Sequence, residues 1–360
     1  MDHEGGPGGP RVPALRRLRG QIPRSLLLSG LAIAVAGGRL ASVTGEVRPA
    51  GIAALYAVPR GTTETARVAL YPAGGSRPMA TVGLGPLGLV GQLGTMASRG
   101  MTWQATTGWR VVWGRAGRIL RITRAPRGRT WISVAWANRV LYGVSASWSG
   151  RSVRIERWSD DVDGDGRARE EIGSVSLVRS VPAGIVQVWS SRSGAVATVI
   201  QPGHLAWYPL SHRAEIRRVA GVEASFWFGF PGFRRAAAFS TRAGTLGMIW
   251  VGRRIHRVVF ANPSRAILGM TDAQRVWGIS TVGMVPLENG RFAFPARVPW
   301  PGPMPTTIAL AESPGSWCLV LGGPGQGYWF DTRGGWFGPP FRLRLPAGAV
   351  IRAVVPLTTR

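Results

Sequence analysis

The chain has 360 residues, of which 45% are hydrophobic and 9% aromatic, and a formal net charge of +27 at pH 7. That apolar share excludes an intrinsically disordered chain and is enough for a large core, in one domain or two. All 44 basic residues are arginine, so part of the charge is compositional; the field still attracts polyanions such as nucleic acid, acidic glycans or anionic lipid.

At the N-terminus, Arg11, Arg16, Arg17, Arg19 and Arg24 precede an apolar run from Leu26 to Ala36, and Ala34 with Ala36 forms an A-x-A site. Basic, then apolar, then small residues is the order of a secretory signal, and the run is shorter than the about 20 residues of a spanning helix. Residues 1–36 are therefore expected to be a signal peptide cut after Ala36, or else an uncleaved membrane anchor, the only membrane attachment expected. A basic helix with a buried apolar face is the third reading. Arg16-Arg17 hints at twin-arginine export, although Arg19 sits where that motif wants an apolar residue. The location expected for 37–360 is secreted or at the cell surface.

From about residue 45 the chain repeats one theme, a β-branched and aromatic run, a Gly-rich turn and a second such run. "RVVWGRAGRILRITR" (110–124) predicts a hairpin about GRAG, "GIVQVWSSRSGAVATVI" (184–200) one about SSRSG, and "GTLGMIWVGRRIHRVVF" (244–260) one about VGRR. Asn289-Gly290 in "RVWGISTVGMVPLENGRFAF" is the strongest of these turns, because both positions accept positive φ. "SWCLVLGGPGQGYWFDTRGGWF" (316–337) ends the series, and its Cys318 reads as a buried small hydrophobe. Only short pieces such as "FRRAAAF" allow a helix.

Corresponding hairpins begin near residues 67, 110, 140, 185, 236, 276 and 316, a spacing of mostly about 40–50 residues that points to a repeat architecture. The fold class is all-β, and a β-propeller explains the period best: four short antiparallel strands per blade use that length, and closure protects the edges. About seven blades fit residues 37–360 as a single domain, with six or eight also allowed, and the recurring Trp residues would pack blade on blade. Two stacked β-sandwiches are the rival.

"RWSDDVDGDGRAREEIG" (157–173) holds six of the 17 acidic residues between two strand-like runs. Asp161, Asp163 and Asp165 fall at alternate positions with Gly166 following, a spacing that converges carboxylates on a hard cation such as Ca²⁺. Position 12 of the loop is Ile172 and no helices flank it, which excludes an EF-hand. The segment resembles the calcium loop of FG-GAP and VCBS repeats in integrin-type propellers, over about a dozen residues and in one repeat only. The resemblance implies side-chain ligands at Asp161, Asp163 and Asp165 and a backbone ligand at the carbonyl of Arg167. Arg169 stands where the family has Asp, so Glu170 or Glu171 would have to substitute or water would fill in. The Ca²⁺ would be structural. A solvated acidic turn held by arginines is the plainer reading of the same residues.

No catalytic constellation emerges. His204 and His212 are spaced eight apart, which matches no common zinc pattern; no G-x-S-x-G elbow occurs in a strand-to-helix context; "GGPGQG" lacks the Lys and helix of a P-loop. A propeller glycosidase or lyase drawing two acids from distant blades is the alternative. The leading expectation is a non-catalytic, mostly monomeric binding or scaffold module. Its ligand would be an acidic polysaccharide or another polyanion, and an envelope protein is a further candidate partner. "FWFGFPGFRR" (226–235) is the candidate ligand surface, with Trp227, Phe230, Arg234 and Arg235 offering stacking and charge-assisted bonds; a buried loop between blades is its other reading.

Overall fold

The computed structural model describes residues 49–359 apart from 62, 88–94, 138–139, 159–174, 192–193, 202, 211–216, 223–226, 229–235, 241–245, 251–256, 261–266, 272–276, 289–290, 303–308, 313–316 and 323–324. The chain divides into Met1–Glu46 and Val47–Arg360, and all the elements below belong to the second unit. The segment 1–36 lies outside the described residues.

Apart from a 3-10 turn at Phe294–Ala296, the regular structure of the described residues is strand, as the all-β reading requires. The first sheet contains β1 (Pro49–Arg60), β2 (Thr63–Pro72) and β3 (Ala80–Pro86). The second is β4 (Met96–Arg99), β5 (Thr102–Thr106), β6 (Arg110–Arg115) and β7 (Arg118–Arg124). The third is β8 (Arg129–Ala137), β9 (Val140–Ser147), β10 (Ser152–Trp158) and β11 (Val175–Pro182). The fourth is β12 (Ile185–Ser191), β13 (Gly194–Gln201), β14 (Gly203–Pro209) and β15 (Arg217–Val222). The fifth is β16 (Trp227–Phe228), β17 (Ala236–Ser240), β18 (Leu246–Trp250) and β19 (Arg257–Phe260). The sixth is β20 (Ile267–Thr271), β21 (Trp277–Ser280), β22 (Gly283–Glu288) and β23 (Arg291–Phe292). The seventh is β24 (Ala309–Glu312), β25 (Trp317–Gly322), β26 (Gln326–Asp331) and β27 (Trp336–Phe337), with β28 (Phe341–Arg342) also on β26. The last strand, β29 (Val350–Thr358), returns to the first sheet and pairs antiparallel with β1.

Each of the seven hairpins expected from the sequence falls in a different sheet. In the hairpin at 110–124 the turn is Ala116-Gly117, both at positive φ (43° and 79°), the two-residue turn whose twist matches the flanking strands. Glu288 pairs with Arg291, which leaves Asn289-Gly290 as a two-residue connection. The helical option for "FRRAAAF" does not hold: Ala236–Ser240 is β17, paired with β16 and β18. Its alanines and Phe239 complete a sheet whose neighbours on both sides are extended, so tertiary pairing overrides alanine's local preference.

The strands read as nearly continuous apolar runs because both faces of the sheets are covered. Alternate residues point to opposite faces, and in β1 Ala53 and Leu55 pack toward the second sheet while Ile52, Ala54 and Tyr56 pack toward the seventh. In β6, Val112 joins the core shared with the first sheet, and Val111 and Trp113 join the core shared with the third. Further cores join the third sheet to the fourth and the sixth to the seventh, the latter enclosing Cys318. The leading strands also meet: β29 lies beside β24 and β4, and β8 beside β4 and β12. Two side-chain bonds tie the first sheet to the seventh: Tyr71 donates to the Arg344 carbonyl at 2.9 Å, and the Trp329 indole donates to the Ala73 carbonyl at 2.8 Å. Burial, with Tyr56 nearby, pushes the Tyr71 phenol up to about 12.

The contact between the second and third sheets is built from tryptophan. Trp113 meets Trp158 edge-on with centroids 5.4 Å apart, and Trp158 lies against Trp131 at 5.3 Å. Two of these rings converge over Gly143, where a Cβ would lie within 2.6 Å of Trp131. Gly143→Ala is therefore expected to cost about 1–3 kcal/mol through overpacking, read as a lower urea midpoint with an unchanged slope.

Candidate functional site

The acidic segment is framed as expected: β10 and β11 pair down to Trp158 opposite Val175, so residues 159–174 connect the two arms of one hairpin. Asp161, Asp163, Asp165, Arg167, Glu170 and Glu171 themselves lie outside the described residues. The aromatic segment is likewise a hairpin connection within the fifth sheet: Trp227 belongs to β16, its backbone opposite Phe239, while Phe230, Arg234 and Arg235 fall in the span 229–235, outside the described residues. Among the described residues no three His, Cys, Asp or Glu side chains gather as a metal site. Three of the described acids are engaged within the fold: Glu64 takes both of its bonds from Arg352 at 2.6 and 2.7 Å, Asp331 accepts the amides of Arg333 and Gly334, and Glu156 accepts the Ser145 hydroxyl.

A site not singled out in the sequence lies between the second and third sheets, at the ends where β5 passes to β6 and β9 to β10. It is a cleft of about 560 Å³ lined by Trp109, Arg110, Ile122, Arg124, Arg127 and Trp148, with Arg129 at its base. The backbone there is held closely. Gly108, at φ +84°, turns its carbonyl to accept both the Trp131 amide at 2.8 Å and the Thr130 hydroxyl at 2.9 Å. The Trp109 carbonyl takes the Ala125 amide at 2.8 Å. Trp148 is fixed at both ends, its amide donating to the Gly128 carbonyl at 3.0 Å and its indole to the Arg129 carbonyl at 3.1 Å. The result is two indoles at 85° with centroids 6.2 Å apart, 46% and 66% exposed. Large aromatics normally bury their surface, whereas this pair stays open on a backbone held by hydrogen bonds.

Arg129, 7% exposed, is bonded through all three guanidinium nitrogens. Its Nε donates to the Ser145 hydroxyl at 3.0 Å, Nη1 to the Ser152 hydroxyl at 3.1 Å, and Nη2 to the carbonyls of Ser145 and Ser152 at 2.6 and 3.2 Å. The Ser145 hydroxyl passes the chain on to the buried Glu156 carboxylate at 3.0 Å. Burial, together with Arg154, pulls the Arg129 pKa below the ordinary arginine value, and Glu156 opposes that pull. Arg129 is thus a strut, while the exposed Arg124 and Arg127 supply positive charge to the open cleft; the Arg110 guanidinium lies instead against Gly85 of β3. The signal that finds this region in the sequence is an absence: no acid occurs between Glu64 and Glu156, a stretch holding 13 arginines.

No protein-family model matches the chain, and no curated protein matches it either. Among solved structures it is similar to apo AztD from Citrobacter koseri, at 11% identity over 86% of this chain and 98% of that one, with a TM-score of 0.46. It is also similar to Raptor from Chaetomium thermophilum, at 8% identity over 70% of this chain and 24% of that one, TM-score 0.46. A 6-phosphogluconolactonase-like protein from Bacteroides uniformis aligns at 13% identity over 84% of this chain and 99% of its own, TM-score 0.49.

The base of the cleft is testable directly. Glu156→Gln removes the only carboxylate that the described structure links to Arg129 and is expected to lower stability by about 1–3 kcal/mol, because a buried guanidinium loses its counter-charge. Urea unfolding measures it; an unchanged midpoint would contradict the strut.

Proposed function

We propose that the chain is an exported, seven-bladed β-propeller that acts as a non-catalytic binding module for a polyanion at the cell surface. Support for the ring comes from the seven sheets in chain order, the leading strands β24, β29, β4, β8 and β12 set side by side, and the return of β29 to β1. Export rests on the signal-like N-terminus. One observation carries the binding role: two open indoles and two exposed cleft arginines, Arg124 and Arg127, on an acid-free stretch of chain.

The chemistry recognised is clustered anionic charge. Guanidinium forks fit carboxylate, sulfate or phosphate oxygens in pairs, and an indole face holds a flat or ring-shaped part of the ligand. An acidic polysaccharide offers both. The module works as a monomer in this reading, and Trp227, Phe230, Arg234 and Arg235 form a second candidate contact in the β16–β17 connection.

Full-length protein is expected to bind an acidic polysaccharide with a steep salt dependence. Arg124→Ala with Arg127→Ala should flatten the slope of log K against log salt by roughly 1.5, at about 0.7–0.9 per lost contact. Trp148→Ala should weaken binding about tenfold, the order seen for one stacking aromatic. Arg234→Ala with Arg235→Ala is the parallel arm. Equal binding by wild type and the cleft variants would remove the cleft from the site; no binding to any polyanion would remove the reading.

The acidic connection is proposed to hold a structural Ca²⁺ through Asp161, Asp163, Asp165, the Arg167 carbonyl and one of Glu170 or Glu171, stiffening the β10–β11 hairpin. Calcium at 100-fold over its Kd is expected to raise Tm by roughly 2–6 °C, and Asp163→Asn with Asp165→Asn should abolish the shift. A Tm indifferent to calcium and chelator would leave the segment as a solvated turn.

A further inference from the structure

β7 is the outer strand of the second sheet: it pairs with β6, and no strand pairs with its other edge among the described residues. It reads "RILRITR", and Ile119, Leu120 and Ile122 are 41%, 48% and 44% exposed. Of the ten large hydrophobics exposed among the described residues, these three with Trp109 and Trp148 make five. Ile122 lines the cleft with Trp109 and Trp148, and Ile119 and Leu120 continue along the same edge strand, unlike the scattered single apolar residues of an ordinary surface. Arg118 and Arg124, both exposed, bound the same strand, with Arg127 just beyond.

Three kinds of partner could cover this rim, and the residues separate them. A second copy of the chain pairing edge to edge would set arginine against arginine. A strand from another protein meets a register shift between Trp113 and Gly114, which leaves Leu120 as an extra residue in β7; a bulge and edge charges are devices that discourage strand addition. A soluble polymer satisfies the arginines and leaves three aliphatic side chains in water. A bilayer interface satisfies both, since alkyl groups enter the headgroup boundary while guanidiniums stay among the phosphates, and Trp is the residue enriched at that level.

We infer that the outer rim of the second sheet, Ile119, Leu120 and Ile122 with Arg118, Arg124, Arg127 and the indoles of Trp109 and Trp148, docks on an anionic lipid bilayer. The inference rests on the polyanion reading of the same face and names its source as a membrane surface. Aliphatic insertion supplies the part of the binding that salt does not remove, and the arginines supply the preference for anionic headgroups.

The test is co-sedimentation of the full chain with vesicles of phosphatidylcholine alone or with one third phosphatidylglycerol, beside binding to soluble polygalacturonate. Wild type is expected to bind the anionic vesicles at least tenfold better than neutral ones, at about fivefold per arginine. The double variant Ile119→Ser, Leu120→Ser, both outside the cleft lining, should lose about tenfold or more on vesicles while keeping its affinity for polygalacturonate. Should the double variant not fold, brominated lipid in wild-type samples serves: indole emission should be quenched on binding, and less so in Trp109→Phe with Trp148→Phe. Binding to polygalacturonate but not to vesicles overturns the membrane inference and leaves the polyanion reading standing; binding to neither overturns both. Vesicle binding indifferent to the double variant, or without differential quenching, overturns the insertion of this rim.

Discussion

The structure depends on the covering of both faces of its sheets. β1 sends Ile52, Ala54 and Tyr56 to one side and Ala53 and Leu55 to the other, and β6 and β26 are apolar in the same two-sided way. A sheet of that kind cannot stand at the end of a stack, because one apolar face would meet water at roughly 25 cal/mol per Å². Pairing of β29 with β1 answers the problem: it brings the last part of the chain to the first sheet, and the core between the seventh and first sheets forms behind it. In the proposed ring this contact is what allows the other interfaces to share one cooperative unit.

The proposed binding role rests on what the interfaces leave at their edges. The tryptophans of the second and third sheets are mostly used internally, Trp103, Trp113, Trp131 and Trp158 being buried. Trp109 and Trp148 belong to the connections at the ends of the same sheets and cannot reach that core, yet their backbones are bound into the cleft by several hydrogen bonds. Pre-organisation of this sort reduces the ordering cost of binding. The buried Arg129 network ties β8 to β9 and β10 without spending its charge outward, and in the proposed reading the arginines along the rim do the attracting.

Much of the fold was legible in the sequence, for a physical reason. Hairpins are local, and "RVVWGRAGRILRITR" or Leu287-Glu288-Asn289-Gly290-Arg291-Phe292 carries its turn and both arms in one window. Closure was legible only as an architectural requirement, since nothing in "VIRAVVPLT" announces a partner at residues 49–60. The short apolar stretch at Ala236–Ser240 allowed a helix in isolation and became a strand because its neighbours are strands. The cleft escaped for a different reason. Its two indoles come from connections of separate sheets, so no window contains them both, and a search for local aromatic density selects residues 226–235 instead. Only the lack of acids from residue 65 to 155 hints at the location. The alternating acids at 161–166 show the reverse case: spacing legible in one short loop, and a hairpin that frames it.

The central claim is that the face formed by the second and third sheets receives the anionic partner. Hydrogen–deuterium exchange of the full chain, with and without saturating acidic ligand, tests it most directly, because buried and hydrogen-bonded backbone segments report contact without any mutation. The account predicts new protection at residues 108–129 and 147–151 and little elsewhere. Protection confined to residues 226–235, or spread evenly over the arginine-rich surface, would contradict it.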